Sequence, residues 1–158
     1  MTLVEVMDRL AEFIRETLKV YRSEYPSGDE TEITVYSGYP AKRVSANAKE
    51  SYIYVLVTKT TDMQIESTAD VEIGFSIYEN ATEDQGRMLF NLMEHTRQEL
   101  LKHPCIAKRL VLNMPLKGEI VDDQPEPQFL GRFTATYSIG RPTEVGLNYD
   151  DFQEIKMY

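Results

Sequence analysis

Apolar residues return at three- and four-residue steps at the start of the chain: Leu3, Val6, Met7, Leu10, Phe13, Ile14, Leu18 and Tyr21. Glu5, Asp8, Arg9, Glu12, Arg15, Glu16 and Lys19 fill the positions between, which predicts a helix with one buried side. Tyr25-Pro26-Ser27-Gly28-Asp29 supplies the turn residues that stop it. From Glu32 the period shortens to two. Ile33 and Val35 alternate with polar neighbours until Gly38-Tyr39-Pro40 closes a short strand. Ala41 to Glu50 places Lys42, Arg43 and Lys49 among small residues with no apolar period, a basic loop. Tyr52 to Thr58 is β-branched and aromatic without polar interruption, which predicts a strand covered on both faces. After the polar stretch Thr60 to Thr68 comes the clearest strand, with Val71, Ile73, Phe75 and Ile77 on one side and Glu72, Gly74, Ser76 and Tyr78 on the other.

A second helix is signalled by Thr82 with Gln85 three residues later, a capping-box spacing, and by Glu83 and Asp84 at the positive end of the helix dipole. Its apolar stripe is Leu89, Leu92, Met93, Thr96 and Leu100, bordered by Met88 and Leu101; Lys102 and His103 suit its negative end, and Pro104 stops it. Two further strands, Arg109 to Val121 and Gln128 to Ile139, are joined by the charged, proline-stiffened tip Asp122-Asp123-Gln124-Pro125-Glu126-Pro127. The expected fold is therefore α+β: a mostly antiparallel sheet of about five strands with both helices packed on one face. It fills residues 1–142 as a single domain, and 143–158 form a C-terminal arm in which Tyr149, Phe152 and Ile155 share a spacing. Two helices cover only one face of such a sheet. Tyr54, Leu56 and Tyr78 are left on the other, and a large uncovered surface of this kind marks a partner.

Composition narrows the function. At 158 residues the chain is long enough for one core without staples, and its single Cys105 has no partner within it, which excludes a disulfide-built scaffold. No apolar run approaches the ~20 residues that cross a bilayer, and Met1 to Glu5 lacks a basic lead, so the expectation is a soluble protein made in the cytoplasm, without membrane contact. With 17 Lys and Arg against 26 Asp and Glu, the formal charge of -9 excludes general affinity for nucleic acid.

Catalytic chemistry finds little support. The eight glycines are scattered singly, so no phosphate-cradling loop is present. His95 and Glu99 lie one helical step apart, but two ligands leave a metal site incomplete, and a solvated helix face is the better reading of His95. His103 reads as a helix-end cation and Cys105 as a small buried thiol. Asp122, Asp123 and Glu126 do not match the spacing of a calcium loop. The expectation is a non-enzyme with no cofactor and no metal; the competing reading from another class is a small metal-dependent enzyme using His95 or the acidic tip.

From Ser67 onward the residues carry a resemblance. Val71-Glu72-Ile73-Gly74-Phe75-Ser76-Ile77-Tyr78, Asp84-Gln85-Gly86, Asn91-Leu92-Met93-Glu94, Arg97-Gln98-Glu99-Leu100-Leu101 and Lys108-Arg109 come first. Pro115-Leu116-Lys117-Gly118-Glu119-Ile120, Gln124-Pro125-Glu126-Pro127, Gly131 and Thr134-Ala135-Thr136-Tyr137 follow. In this order they resemble the tail terminator, or tail-completion, proteins of long-tailed bacteriophages and prophages of Gram-positive bacteria. The resemblance implies a small α/β domain that closes into a homohexameric ring. Such a ring caps the tail tube, meets a head-completion or connector protein, and lets DNA pass only in transit. It also implies a place at the head-tail junction of the virion, after assembly in the host cytoplasm. The alternative within the same neck is a connector, stopper or tube protein.

Tyr52, Tyr54 and Tyr78 are the candidates for subunit contact on the uncovered sheet face, since tyrosine offers wide area with a polar tip. Lys42, Arg43 and Lys49 are expected to face an acidic neighbour, and Asp122, Asp123 and Glu126 to line the channel or meet a partner.

Overall fold

A computed structural model describes residues 1–24, 33–40, 50–78, 86–121 and 128–142. The turn after the first helix, the basic loop, the Thr82 to Gln85 cap, the acidic tip and the C-terminal arm lie outside the described residues.

The fold is α+β, in the order α1 (Leu3–Glu24), β1 (Ile33–Ser37), β2 (Ser51–Asp62), β3 (Ser67–Tyr78), α2 (Arg87–Lys102), β4 (Cys105–Ile106), β5 (Leu110–Ile120) and β6 (Gln128–Ser138). Helix α1 begins on a reciprocal cap that the apolar spacing does not reveal. The Thr2 hydroxyl accepts the Glu5 amide at 3.1 Å, and the Glu5 carboxylate accepts the Thr2 amide at 3.4 Å. Helix α2 starts behind Gly86, whose backbone is left-handed at φ 78° and which provides no side-chain cap.

The strands form one six-stranded sheet in the order β1-β2-β3-β6-β5-β4, antiparallel except for β1 beside β2. The sixth strand, β4, has two residues and is too short to leave a period in the sequence. Strands β2 and β3 are longer than their apolar runs. Lys59 to Asp62 pairs with Ser67 to Asp70, so most of the stretch expected to be a connection is ladder. Past Val57 a bulge leaves Thr58 without an opposite residue and exchanges the two faces. From Thr58 to Asp62 the strand is exposed on both sides, so it needs no apolar alternation.

The core lies between the helices and one face of the sheet. Val6, Leu10, Ala11, Ile14 and Leu18 of α1 and Leu89, Leu92, Met93 and Leu100 of α2 meet Ile53, Val55, Val71, Ile73, Phe75, Ile77, Phe133, Ala135 and Tyr137. Phe75 and Phe133 meet edge to face at 5.7 Å. Helix α2 approaches β6 closely: a Cβ at Gly131 would lie 2.5 Å from the Met93 sulfur, so any larger residue there forces the Met93 side chain to shift. Helix α1 is tied to β1 by the Arg15 guanidinium, which donates to the Val35 carbonyl at 2.7 Å. Because α1 also touches β4, at the opposite end of the strand order, the sheet curls around the helices. No helix among the described residues is long and apolar enough to cross a membrane.

Candidate subunit interface

With one face of the sheet committed to the helices, the other carries the alternate residues of each strand. The register sets them in rows. Tyr36, Tyr54, Gly74, Arg132 and Glu119 form one row across five strands, with Thr34, Tyr52, Ser76 and Leu130 beside it on one side and Leu56, Glu72, Thr134 and Lys117 on the other. Tyr36, Tyr52, Tyr54, Leu56, Tyr78 and Leu130 are half-buried there, and no helix of the described residues lies above them. Of the strand Tyr52 to Thr58, expected to be covered by a helix on one face and a neighbouring subunit on the other, the single chain covers one: Ile53 and Val55 are buried like Ser51 before them, and Tyr52, Tyr54 and Leu56 are half-buried.

The centre of the face is built on a missing side chain. Tyr54 lies across Gly74 so closely that a Cβ there would sit 2.0 Å from its Cζ. In this position its hydroxyl donates to the Glu72 carboxylate at 3.1 Å. Glu72 also faces Arg132 at 3.4 Å, and Arg132 donates through Nε and Nη2 to Glu119 at 3.0 and 2.9 Å. The result is a chain of hydroxyl, carboxylate, guanidinium and carboxylate over four strands. Burial, and then the adjacent Glu72 carboxylate, push the Tyr54 hydroxyl up to about 12. The hydrogen bonds that the Arg132 guanidinium donates to Glu119, followed by the charge of that carboxylate, raise its pKa. Tyr36 meets Tyr52 edge to face at 5.9 Å, and burial followed by Glu50 raises its hydroxyl as well.

Such a surface can bind by contact. Arg132 already spends its donors on two carboxylates, which disfavours gripping a phosphate. Among the described residues no three His, Cys, Asp or Glu side chains are placed to hold a metal ion.

Of the expected contact residues, Tyr52, Tyr54 and Tyr78 come together on this face, while Lys42, Arg43, Lys49, Asp122, Asp123 and Glu126 lie outside the described residues. Two other readings are corrected. His95 does not sit on a solvated face: it is half-buried against α1, with Nε2 2.9 Å from the Thr17 carbonyl and its ring 5.2 Å from that of Tyr21. Its stripe, spaced by eight from His103, is the one that meets α1, where Phe13 packs on His103 at 5.8 Å. Cys105 is exposed, because in the edge strand β4 it is Ile106 that turns inward. His103 does cap the end of α2, its amide bonding the Glu99 carbonyl and its ring 3.6 Å from the Glu99 carboxylate.

Tyr36, Gly74, Glu72, Arg132 and Glu119 complete the face but were not singled out by sequence. The available signal was the lone Gly74 inside an otherwise bulky strand, which marks a close approach. A scan against protein-family models and a search of the curated proteins find no match to the chain.

Proposed function

We propose that the protein is a structural assembly protein, a tail terminator whose copies close into a ring that caps a tail tube and joins it to the head. The observation that carries this reading is the helix-free sheet face, where Tyr36, Tyr52, Tyr54, Leu56 and Leu130 surround the Glu72–Arg132–Glu119 chain. Aromatic residues and arginine are the groups that interfaces concentrate, and a face left without a second layer acquires one by association. The resemblance running from Val71 to Tyr137 supplies the kind of assembly.

The sheet edges favour contact through faces over extension of the sheet. Beyond Val55, where β1 ends its pairing, the free edge of β2 carries the Thr58 bulge and Lys59. Along β5, Met114, Pro115 and Leu116 bulge opposite Ala135, and Lys117 follows. Bulges, proline and lysine at an edge all oppose strand addition. A ring made through faces halts when it closes, as a terminator must.

Light scattering over a range of concentrations, with negative-stain imaging of tails assembled with and without the protein, tests the reading. A closed ring and tails of one length support it; a monomer that leaves tube growth unchanged rejects it.

A further inference from the structure

One end of the sheet carries two hairpins of unlike character. The β2–β3 hairpin presents Met63 and Ile65, 63% and 91% exposed, between Asp62 and Glu66. The pairs Thr68 with Ser138 and Ser138 with Val111 place the β4–β5 turn at the same end. That turn, Ala107-Lys108-Arg109, holds Ala107 and Lys108 at φ 53° and 63°, in the left-handed region that disfavours side chains. Lys108 and Arg109 are exposed and make no ion pair among the described residues, and Arg141 adds a third exposed cation just past β6. Among the described residues the Glu66 carboxylate accepts only from the Ser138 hydroxyl, and the Asp62 carboxylate has no side-chain partner. Three strand spacings, about 14 Å, separate the two hairpins.

We infer that a second copy of this chain docks on this end, the acidic, apolar-tipped β2–β3 hairpin of each copy meeting the basic β4–β5 turn of the other. Charge complementarity selects the occupant, because the chain bears both halves of the contact side by side. A two-fold axis normal to the sheet, placed beyond its end, sets hairpin against turn twice. Met63 and Ile65 then leave water beside Val111, which is 43% exposed next to the turn. A phosphate ligand fits less well, since the acidic hairpin would repel it. The inference does not rest on the tyrosine face, which involves other residues; the end contact doubles whatever species that face forms.

Sedimentation velocity of the full chain at low and high salt reads this doubling. Reversing the acids (Asp62→Lys with Glu66→Lys) or the bases (Lys108→Glu with Arg109→Glu) should each weaken the doubling by about tenfold or more. Mixing the two reversed proteins should restore it, because each hairpin then meets a turn of opposite sign. Lys108→Gly should weaken it while raising the melting temperature, a combination that misfolding cannot produce. Doubling unaffected by either reversal, a mixture that stays apart, or a wild-type chain that never doubles would overturn the inference. So would a base-reversed protein that doubles normally but loses retention of duplex DNA, since the turn would then be a phosphate contact.

Discussion

Replacing Gly74 with alanine tests how the tyrosine face is built. The new methyl would lie 2.0 to 2.3 Å from Cζ, Cε1 and Oη of Tyr54, so the ring must swing away. It then gives up its hydrogen bond to Glu72, a half-exposed bond to a carboxylate and so worth ~1 kcal/mol after solvent screening. Returning about 40 Å² of ring surface to water costs ~1 kcal/mol more. Alanine offsets part of this, ~0.4–1 kcal/mol, by restricting the unfolded chain. The net expectation is a loss of about 1–1.5 kcal/mol, or about 2–6 °C in melting temperature for a domain of this size. Urea denaturation followed by circular dichroism measures it. The same substitution in a Tyr54→Ala background should be neutral or stabilising, because nothing remains to collide. An equal loss in both backgrounds would refute the account, since the strain would then lie in the backbone and not under the ring.

Other perturbations separate core from face. Tyr54 holds its proton to about 12 in the folded chain against 10.0 ordinarily, so its contribution is complete below pH 10 and is lost as pH rises from 10 through 12. Tyr54→Phe should therefore flatten the alkaline fall in stability over that range, while Tyr137, also raised by burial, keeps its share of the same sign; an unchanged slope contradicts this. The Tyr137 hydroxyl is fully buried with no hydrogen-bond partner among the described residues, so Tyr137→Phe should leave the protein as stable or more stable by up to ~1 kcal/mol in urea, and a clear loss would show that the hydroxyl is satisfied. Gly131→Ala forces a methyl to within 2.5 Å of the Met93 sulfur and should destabilise by ~1–3 kcal/mol, with wild-type stability as the contrary result.

Much of this architecture was legible in the order of residues. The helical steps of α1 and α2 and the alternation from Val71 to Ile77 were unambiguous because one side of each element is buried and the other is not. The lower half of the β2–β3 hairpin was hidden for the converse reason. Thr60, Thr61 and Asp62 face water on both sides, so no period survives, and only cross-strand pairing shows that they are strand. Strand β4 consists of one exposed and one buried residue, which no periodicity can express. His95 was misplaced because a polar residue bordering an apolar stripe looks solvated until the second helix is laid beside it. On the face itself the tyrosines stood out as bulky residues facing away from the core. The Glu72–Arg132–Glu119 chain did not, because its members are 60 and 13 positions apart and meet only through the register of β3, β6 and β5.

The central claim is that the helix-free face is covered by further copies of the chain. The most direct measurement is the mass of the wild-type protein in solution beside that of Tyr54→Ala with Leu56→Ala, by light scattering coupled to gel filtration. The account predicts a closed assembly of the 18.2 kDa chain, near 109 kDa for a ring of six at salt high enough to part the charged end contact, that breaks down in the folded double variant. Wild-type protein that stays at 18.2 kDa at every concentration, or a double variant with the wild-type mass, would contradict it.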